Sequence, residues 1–493
     1  MSKAMKCEGW ISAFADRSSR IRFIRPMAAL AIVLTEACAV GPDYKAPQTV
    51  LPPEWHNKAL IDVSLSQSKE ASPALWWSSF DDSVLSSIME KAIKTNKDIM
   101  GAEARLREAR AKRDFAAGDR LPTVSAAASA SRRRGSAETG IGKTTDFYNA
   151  GFDARWELDI FGARQRALEA AEASLQAGEE DLRDVMVTLT AEVGINYLEA
   201  RSLQRRIAIA SETLSALNQS YEIARWRKEA GLVTQLDEDQ AIASYQQTKA
   251  QIPSLEAGLE QNLNRLAVLL GETPGSLHAL MAKKMELPSP ARGVAVGIPA
   301  DLLRRRPDIR RAERNLAAAT AQVGVATAAL YPSFSLTGSL GLEALSTGGL
   351  FTANARTWAL ALSPALTLFD AGKNRANIDA AQARQEQALA SYEGALLTAL
   401  ADVEDALSAY VREKRRLEAL LAAEAATLSA YKLASDQYSA GLADFLAVLV
   451  AQRTLLTMQD QRAVSEVAVL TDLVRLYKAL GGGWIRAEDK ENS

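Results

Sequence analysis

An internal duplication with a spacing of 210 residues limits most strongly what this chain can fold into. Matching pairs at this spacing are Asp98-Ile99 with Asp308-Ile309, Ala102-Glu103 with Ala312-Glu313, Leu121–Ser125 with Tyr331–Ser335, and Ala230–Leu232 with Ala440–Leu442. Phe161 and Phe369, a further pair, differ by 208 residues. Since one spacing recurs along most of the chain, two copies of one structural unit are expected. Residues 271–300, between the copies, are rich in glycine and proline and are predicted to be a connector.

Alternating runs of apolar residues predict four strands. In residues 148–158 and 334–342 every second side chain is apolar, and residues 358–366 repeat the pattern. Residues 123–131, rich in alanine and serine, form a weaker fourth run. A period of two gives a strand one apolar face, and runs of about 10 residues suit tilted membrane strands. A soluble sheet packed on helices is the alternative.

Two very long helices are also predicted, since residues 163–230 and 371–440 contain no proline. In the second, an apolar stripe typical of a packed helix recurs every three or four residues. Its members are Leu389, Tyr392, Leu396, Leu400, Val403, Leu407 and Tyr410. Shorter helices are expected near residues 83–117, 237–270, 301–330 and 445–480. Each copy is therefore predicted to contain a helix, two strands, a long helix and a further helix.

Four strands cannot close a barrel in lipid, where unpaired backbone groups would have no water to bind. The smallest common barrels have eight strands, so a membrane sheet would need strands from several chains. Twelve strands from three chains would leave room for a pore, and the strand count alone leaves a dimer open.

The N-terminus has the order of an export signal. Basic residues between Lys3 and Arg25 precede the apolar run Met27–Leu34, and Cys38 follows. This order predicts a signal peptide over residues 1–37 and lipid attachment at Cys38, as in a bacterial lipoprotein. Thr35 and Glu36 depart from the residues usually found before such a cysteine, so plain cleavage and a start at Met27 remain alternatives.

Composition argues against several other classes. A formal net charge of −2 disfavours nucleic-acid binding. Two cysteines, Cys7 and Cys38, cannot build a disulfide framework or a cysteine-based zinc site, and with His56 and His278 as the two histidines a histidine-rich metal centre is not expected. Since the sequence shows no nucleotide-binding loop and no nucleophile with its base, no cofactor, no metal and no enzymatic activity are expected.

Several motifs together carry a family resemblance. They are Cys38–Tyr44 with Pro47; Trp77, Phe80, Asp82, Leu85, Asn96 and Asp98; Trp156–Gly162; Ile298–Leu303 with Arg305–Ile309; Leu330–Leu340; and Leu476–Trp484. In these motifs the chain resembles the TolC-type outer-membrane factors, in the lipoprotein branch that partners RND pumps. The resemblance implies a mixed fold: four strands per protomer form a 12-stranded transmembrane β-barrel in a homotrimer, continued by a long α-helical coiled-coil barrel in the periplasm. It also implies passive exit of drugs or other small molecules, passed on by an inner-membrane pump through a periplasmic adaptor.

The resemblance further implies two functional regions. The helix-to-helix turns at Gly231 and Gly441 would be the periplasmic tips, and Asp237, Tyr438 and Asp444 would belong to the periplasmic gate. An equal alternative for Asp237 is an ordinary acid at a helix start, where negative charge is favourable. This chain has small or apolar residues where the family often has charged ones, so its gate is expected to be more apolar than usual. These residues are Ala443, Ala447 and Val450.

The predicted organisation follows the duplication. It comprises a signal peptide (1–37), an N-terminal equatorial segment (38–82), the first repeat (83–270), a connector (271–300), the second repeat (301–480) and a tail (481–493). Arg132–Arg134 is expected in a loop, in solvent or against lipid head groups, and Arg304–Arg306 is expected to pair carboxylates between helices. Alternatives to an efflux duct are a type I secretion channel and a non-conducting periplasmic scaffold.

Overall fold

A computed structural model describes residues 39–48, 51–57, 73–139, 142–282, 287–288 and 305–484. The predicted signal peptide, the predicted lipid-attachment residue Cys38, the motif Ile298–Leu303, Arg304 and most of the predicted tail lie outside the described residues.

The predicted order of elements is confirmed in both copies. The helices are α1 (Ser83–Thr95), α2 (Lys97–Gly118), α3 (Ala163–Glu229), α4 (Gln235–Leu269), α5 (Pro307–Ala328), α6 (Lys373–Ser439) and α7 (Phe445–Ala479). The strands are β1 (Thr123–Arg134), β2 (Thr144–Leu158), β3 (Ser333–Ala344) and β4 (Arg356–Ala365). Short helical segments cover Pro73–Phe80, His278–Met281, Thr347–Gly349 and Ala353–Ala355. The long helices α3 and α6 have 67 residues each.

The chain divides into two compact units. The first, here the strand unit, takes its described residues from 1–42, 116–168 and 321–379, and it holds one antiparallel sheet of order β1-β2-β3-β4. Ser125 pairs with Asp153 in the first hairpin, and Ser335 pairs with Ser363 in the second, so the two hairpins repeat in register at the 210-residue spacing. The strands of the two repeats are therefore 210 residues apart, and the spacing of 208 residues applies to Phe161 and Phe369, which follow the strands.

One face of the sheet is apolar and exposed. Even-numbered side chains on three strands carry this face, among them Phe152 (60% exposed), Leu340 (63%) and Trp358 (78%). The prediction for Arg132–Arg134 was wrong, because these residues continue β1 opposite Thr144–Asp146. The Asp146 carboxylate lies 3.3 Å from the Arg132 guanidinium, so the positive charge of Arg132 has a partner on the neighbouring strand.

The second, helical unit takes its described residues from 43–115, 169–320 and 380–493, and contains the main apolar core. Trp76 stacks on Tyr477 with ring centroids 5.8 Å apart, and it also packs edge-on against Phe80. A Cβ at Gly194 would come within 2.5 Å of the Trp76 ring, so only glycine lets α3 approach this closely. Tyr392, Val403 and Leu407 of the predicted stripe are buried in the same core.

A single predicted helix over residues 83–117 is divided at Asn96. The extended backbone of Asn96 ends α1, and its side-chain oxygen accepts hydrogen bonds from the N–H groups of Asp98 and Ile99 at the start of α2. Its amide also donates to the carbonyl of Leu269. Asn96 is thus both a local N-cap for α2, which asparagine favours, and a link to the end of α4 far away in the sequence.

Arg306 confirms the expectation of pairing between helices. Its guanidinium is 2.7 Å from the Asp308 carboxylate and 2.9 Å from that of Asp402 on α6, and it donates to the carbonyl of Ala479. The Arg306 guanidinium lowers the pKa of Asp308 against the opposing effect of burial, which by itself raises it. The buried Arg306 guanidinium thus joins the start of the second repeat to its two later helices.

Candidate functional site

The two helix turns predicted as tips have the same backbone. Gly231 and Gly441 both have φ +74°, a left-handed conformation that glycine adopts without steric cost. The N–H of Leu232 donates to the carbonyl of Arg227 at 2.8 Å, and that of Leu442 donates to Gln437 at the same distance. The N–H groups of Gly231 and Gly441 donate to the carbonyls of Lys228 and Tyr438. Together these bonds make each turn a Schellman C-cap.

Asp237 lies in a capping box at the start of α4. Its carboxylate accepts hydrogen bonds from the N–H of Thr234 at 2.8 Å and from the Thr234 hydroxyl at 2.7 Å. These bonds, the side-chain one first, lower the pKa of Asp237, so its carboxylate is ionised at neutral pH. The helix-start role of Asp237 is thus present in the structure.

Asp444 occupies the equivalent position of Thr234 in the second repeat and caps α7. Its carboxylate accepts from the N–H of Ala447 at 2.9 Å. Since Ala447 stands where the first repeat has Asp237, the second turn has one half of the capping box only.

Tyr438 joins the two turns. Its hydroxyl accepts a hydrogen bond from Arg227 on α3, and the Arg227 guanidinium carbon lies 4.6 Å from the centre of the Tyr438 ring. The ring packs at 5.3 Å against Phe445, which is buried with Leu217, Ala224, Ala241 and Leu449. Arg227 was not identified from the sequence, because its contact is with a residue of the other repeat. Its place four residues before Gly231 was the one local signal.

Apolar side chains are exposed around both turns. Leu232 is 73% exposed and Leu442 is 80% exposed, and Trp226 and Leu236 are exposed nearby. Exposed apolar groups of this size at two equivalent turns are typical of a protein-binding surface.

The residues that follow Cys38 are held against the end of β2 and the start of α3. Val40 donates its N–H to the carbonyl of Phe161, and Arg166 donates to the carbonyls of Ala39 and Val40. Gly41 lies close to Gly324 of α5. A Cβ atom at position 41 would come within 2.5 Å of the Gly324 Cα. The start of the described chain is thus fixed where a strand passes into a helix.

Comparisons with known proteins agree with this geometry. The family model described as outer membrane efflux protein matches residues 88–272 and 298–482. The chain belongs to the outer membrane efflux protein family. It is 33% identical to outer membrane protein OprJ of Pseudomonas aeruginosa, over 93% of this chain and 96% of that protein. It is 32% identical to the antibiotic efflux pump outer membrane protein ArpC of Pseudomonas putida, over 92% of this chain and 94% of that protein.

A solved structure, that of the outer-membrane channel OprN, aligns with a TM-score of 0.86 and 38% identity, over 91% of this chain and 100% of that chain. The efflux-protein fold expected from the resemblance is therefore confirmed, as is the function: the chain is an outer-membrane efflux channel, an exit duct, and not an enzyme. Its place is the outer membrane, with a large periplasmic portion.

Within the described residues, no helix combines the length and the apolarity needed to cross a membrane.

Proposed function

We propose that three copies of this efflux protein assemble into one duct, which carries drugs or other small molecules received from an inner-membrane pump through a periplasmic adaptor. The open four-stranded sheet carries this proposal. Among the described residues, its outer strands β1 and β4 each pair on one side only, and its exposed apolar face suits lipid. In lipid, both free edges need strands from other copies. The similarity to ArpC, an antibiotic efflux protein, supports drugs as cargo.

The duplication supplies a register for the contact between copies. Within one chain, β2 of the first repeat pairs with β3 of the second, and Asp153 lies opposite Ser339. The residue equivalent to Asp153 in the second repeat is Ser363 on β4, and the residue equivalent to Ser339 in the first repeat is Ser129 on β1. We therefore expect Ser363 of one copy opposite Ser129 of the next, so that the contact between copies repeats the contact inside each copy.

Cysteine cross-linking tests this assembly. In the background Cys7→Ala, the pair Ser129→Cys and Ser363→Cys should form a disulfide between copies in outer membranes under mild oxidation, because cross-strand partners lie within its reach. The matched control, Ser129→Cys with Ala361→Cys, is two residues out of register and should cross-link far less. Efficient cross-linking of the control alone would contradict the register, and cross-linking of neither pair would contradict the strand contact between copies.

The gate we propose consists of Asp237, Tyr438 and Asp444, with the turns at Gly231 and Gly441 as periplasmic tips. In a trimer each acid would be present three times around one axis, and a ring of ionised carboxylates attracts cations. The exposed Leu232 and Leu442 would meet the adaptor at the tips. The lowered pKa of Asp237 supports a charged ring at neutral pH.

Lipid attachment at Cys38 is a further part of the proposal. The fixed position of Ala39, whose carbonyl accepts a hydrogen bond from Arg166, supports it, because acyl chains on the preceding residue would start where the strands pass into helices. Intact-mass measurement of membrane-extracted protein should show an N-terminal, acylated Cys38. An unmodified Cys38 would contradict the anchor and leave the duct unaffected.

A further inference from the structure

Three arginines lie on the apolar face of the sheet, at the strand ends next to the hairpin loops. β1 ends at Arg134 and β4 begins at Arg356, whereas α2, α3, α5 and α6 join the strands at their other ends. Strand pairing is continuous, so even-numbered residues of all four strands share one face. Arg132, Arg134 and Arg356 therefore lie on the same face as Trp358, the face that suits lipid.

These arginines outnumber the acids on their face of the strands. The Asp146 carboxylate is paired with Arg132, whose side chain is still 75% exposed. In the part of the chain that the structure describes, Arg134 and Arg356 are exposed and have no ion-pair partner. Glu343 is odd-numbered and lies on the opposite face. Positive charge is thus left uncompensated beside an apolar surface.

The proposed contact between copies brings these arginines together. With Ser363 of one copy opposite Ser129 of the next, Trp358 lies opposite Arg134 of the next copy. Arg356 is then a diagonal neighbour of that Arg134, about 7–8 Å away and within reach of long side chains. Like charges this close repel each other, and an anion bound between them removes the repulsion.

The direction of the strands decides which leaflet the arginines meet. The channel has a large periplasmic portion, and its long helices join the strands at the ends away from Arg134 and Arg356. These arginines therefore lie on the outer side of the outer membrane, whose outer leaflet consists of phosphorylated glycolipid. A guanidinium binds two phosphate oxygens at once, and an exposed tryptophan such as Trp358 suits the boundary between head groups and acyl chains.

We propose that each contact between copies binds one phosphorylated glycolipid of the outer leaflet. Arg132 and Arg134 of one copy and Arg356 of the next hold its phosphates, and its acyl chains run along Trp358 and the apolar face. This inference rests on the proposed assembly of copies. The bound glycolipid adds a bridge between neighbouring copies on the outer side of the membrane.

Binding of diphosphorylated lipid A to the detergent-extracted complex tests this site, with native mass spectrometry as the readout after co-purified lipid is removed. Arg132→Ala/Arg134→Ala should weaken binding about tenfold or more, because charged hydrogen bonds to phosphate are lost. Arg356→Ala should weaken it less, and it tests the other side of the contact if the double variant does not assemble. The matched control is Arg133→Ala, which removes the same charge from the same strand on the opposite face and should change binding less than about twofold.

A probe without phosphates separates head-group binding from acyl-chain binding. Dephosphorylated lipid A should bind the wild type as weakly as diphosphorylated lipid A binds the double variant. Equal binding of the two probes to the wild type, or an equal loss in Arg133→Ala, would overturn the proposal. A conducting trimer that binds no lipid A would overturn this inference and leave the duct intact, whereas a monomer without pores would overturn both.

Discussion

The two helix turns have the same backbone and different side-chain chemistry. Gly231 and Gly441 share one φ value and one C-cap, so the duplication preserved the fold of the turn. The first turn is fixed by polar contacts, the capping box of Thr234 with Asp237 and the pair of Lys228 with Glu238. The second turn is fixed by packing of the Tyr438 ring against the Phe445 ring. Two copies of one hairpin can thus keep a common backbone while one turn is held by polar and charged contacts and the other by aromatic packing.

The largest difference between the turns should appear in stability. Phe445 is buried, whereas its equivalent in the first repeat, Gln235, is exposed. Phe445→Ala should lower the free energy of unfolding by about 3–5 kcal/mol, because a large side chain leaves a cavity. Gln235→Ala should change it by less than about 0.5 kcal/mol. Thermal or denaturant unfolding of the purified protein measures both, and similar effects at the two positions would contradict the comparison.

Passive conductance should show a smaller difference. Asp237→Ala combined with Asp444→Ala should raise the resting conductance in planar bilayers several-fold, because the proposed rings of acidic side chains that narrow the entrance are replaced by smaller methyl groups. Thr234→Ala is the control, since it removes a capping hydroxyl and keeps the Asp237 carboxylate. Unchanged conductance in the double variant would remove both acids from the gate. An equal rise in Thr234→Ala would assign the effect to the helix cap.

The smallest effect should be a dependence on acid. The hydrogen bonds of Thr234 lower the pKa of Asp237 in the folded chain, so their contribution is complete above the unfolded value of about 3.9. It is lost as the pH falls through the lower folded value. The difference in unfolding temperature between the wild type and Asp237→Asn should therefore shrink from pH 7 to pH 3. A difference that grows on acidification would contradict this role of the carboxylate.

Local patterns predicted most of the fold, and distant contacts account for most of what they missed. The alternation in residues 148–158 and the glycines at both turns are short-range signals, and the structure confirms the strands and the turns. Arg132–Arg134 gave the pattern of a loop, because the sequence could not show that Asp146 lies opposite. Asn96 divides a helix by capping α2, a local signal that the sequence interpretation missed, and its amide also binds a carbonyl more than 170 residues away. At the candidate site the acids were visible in the sequence, whereas Arg227 becomes meaningful only once Tyr438 is placed beside it.

The duct proposed for this efflux protein requires several copies of the chain. The most direct measurement is the native mass of the detergent-extracted complex, with conductance recorded in planar bilayers from the same preparation. A trimer that forms pores is the predicted result. A monomer, or a dimer without conductance, would contradict this assembly, because a closed barrel with strands from three copies would then be absent.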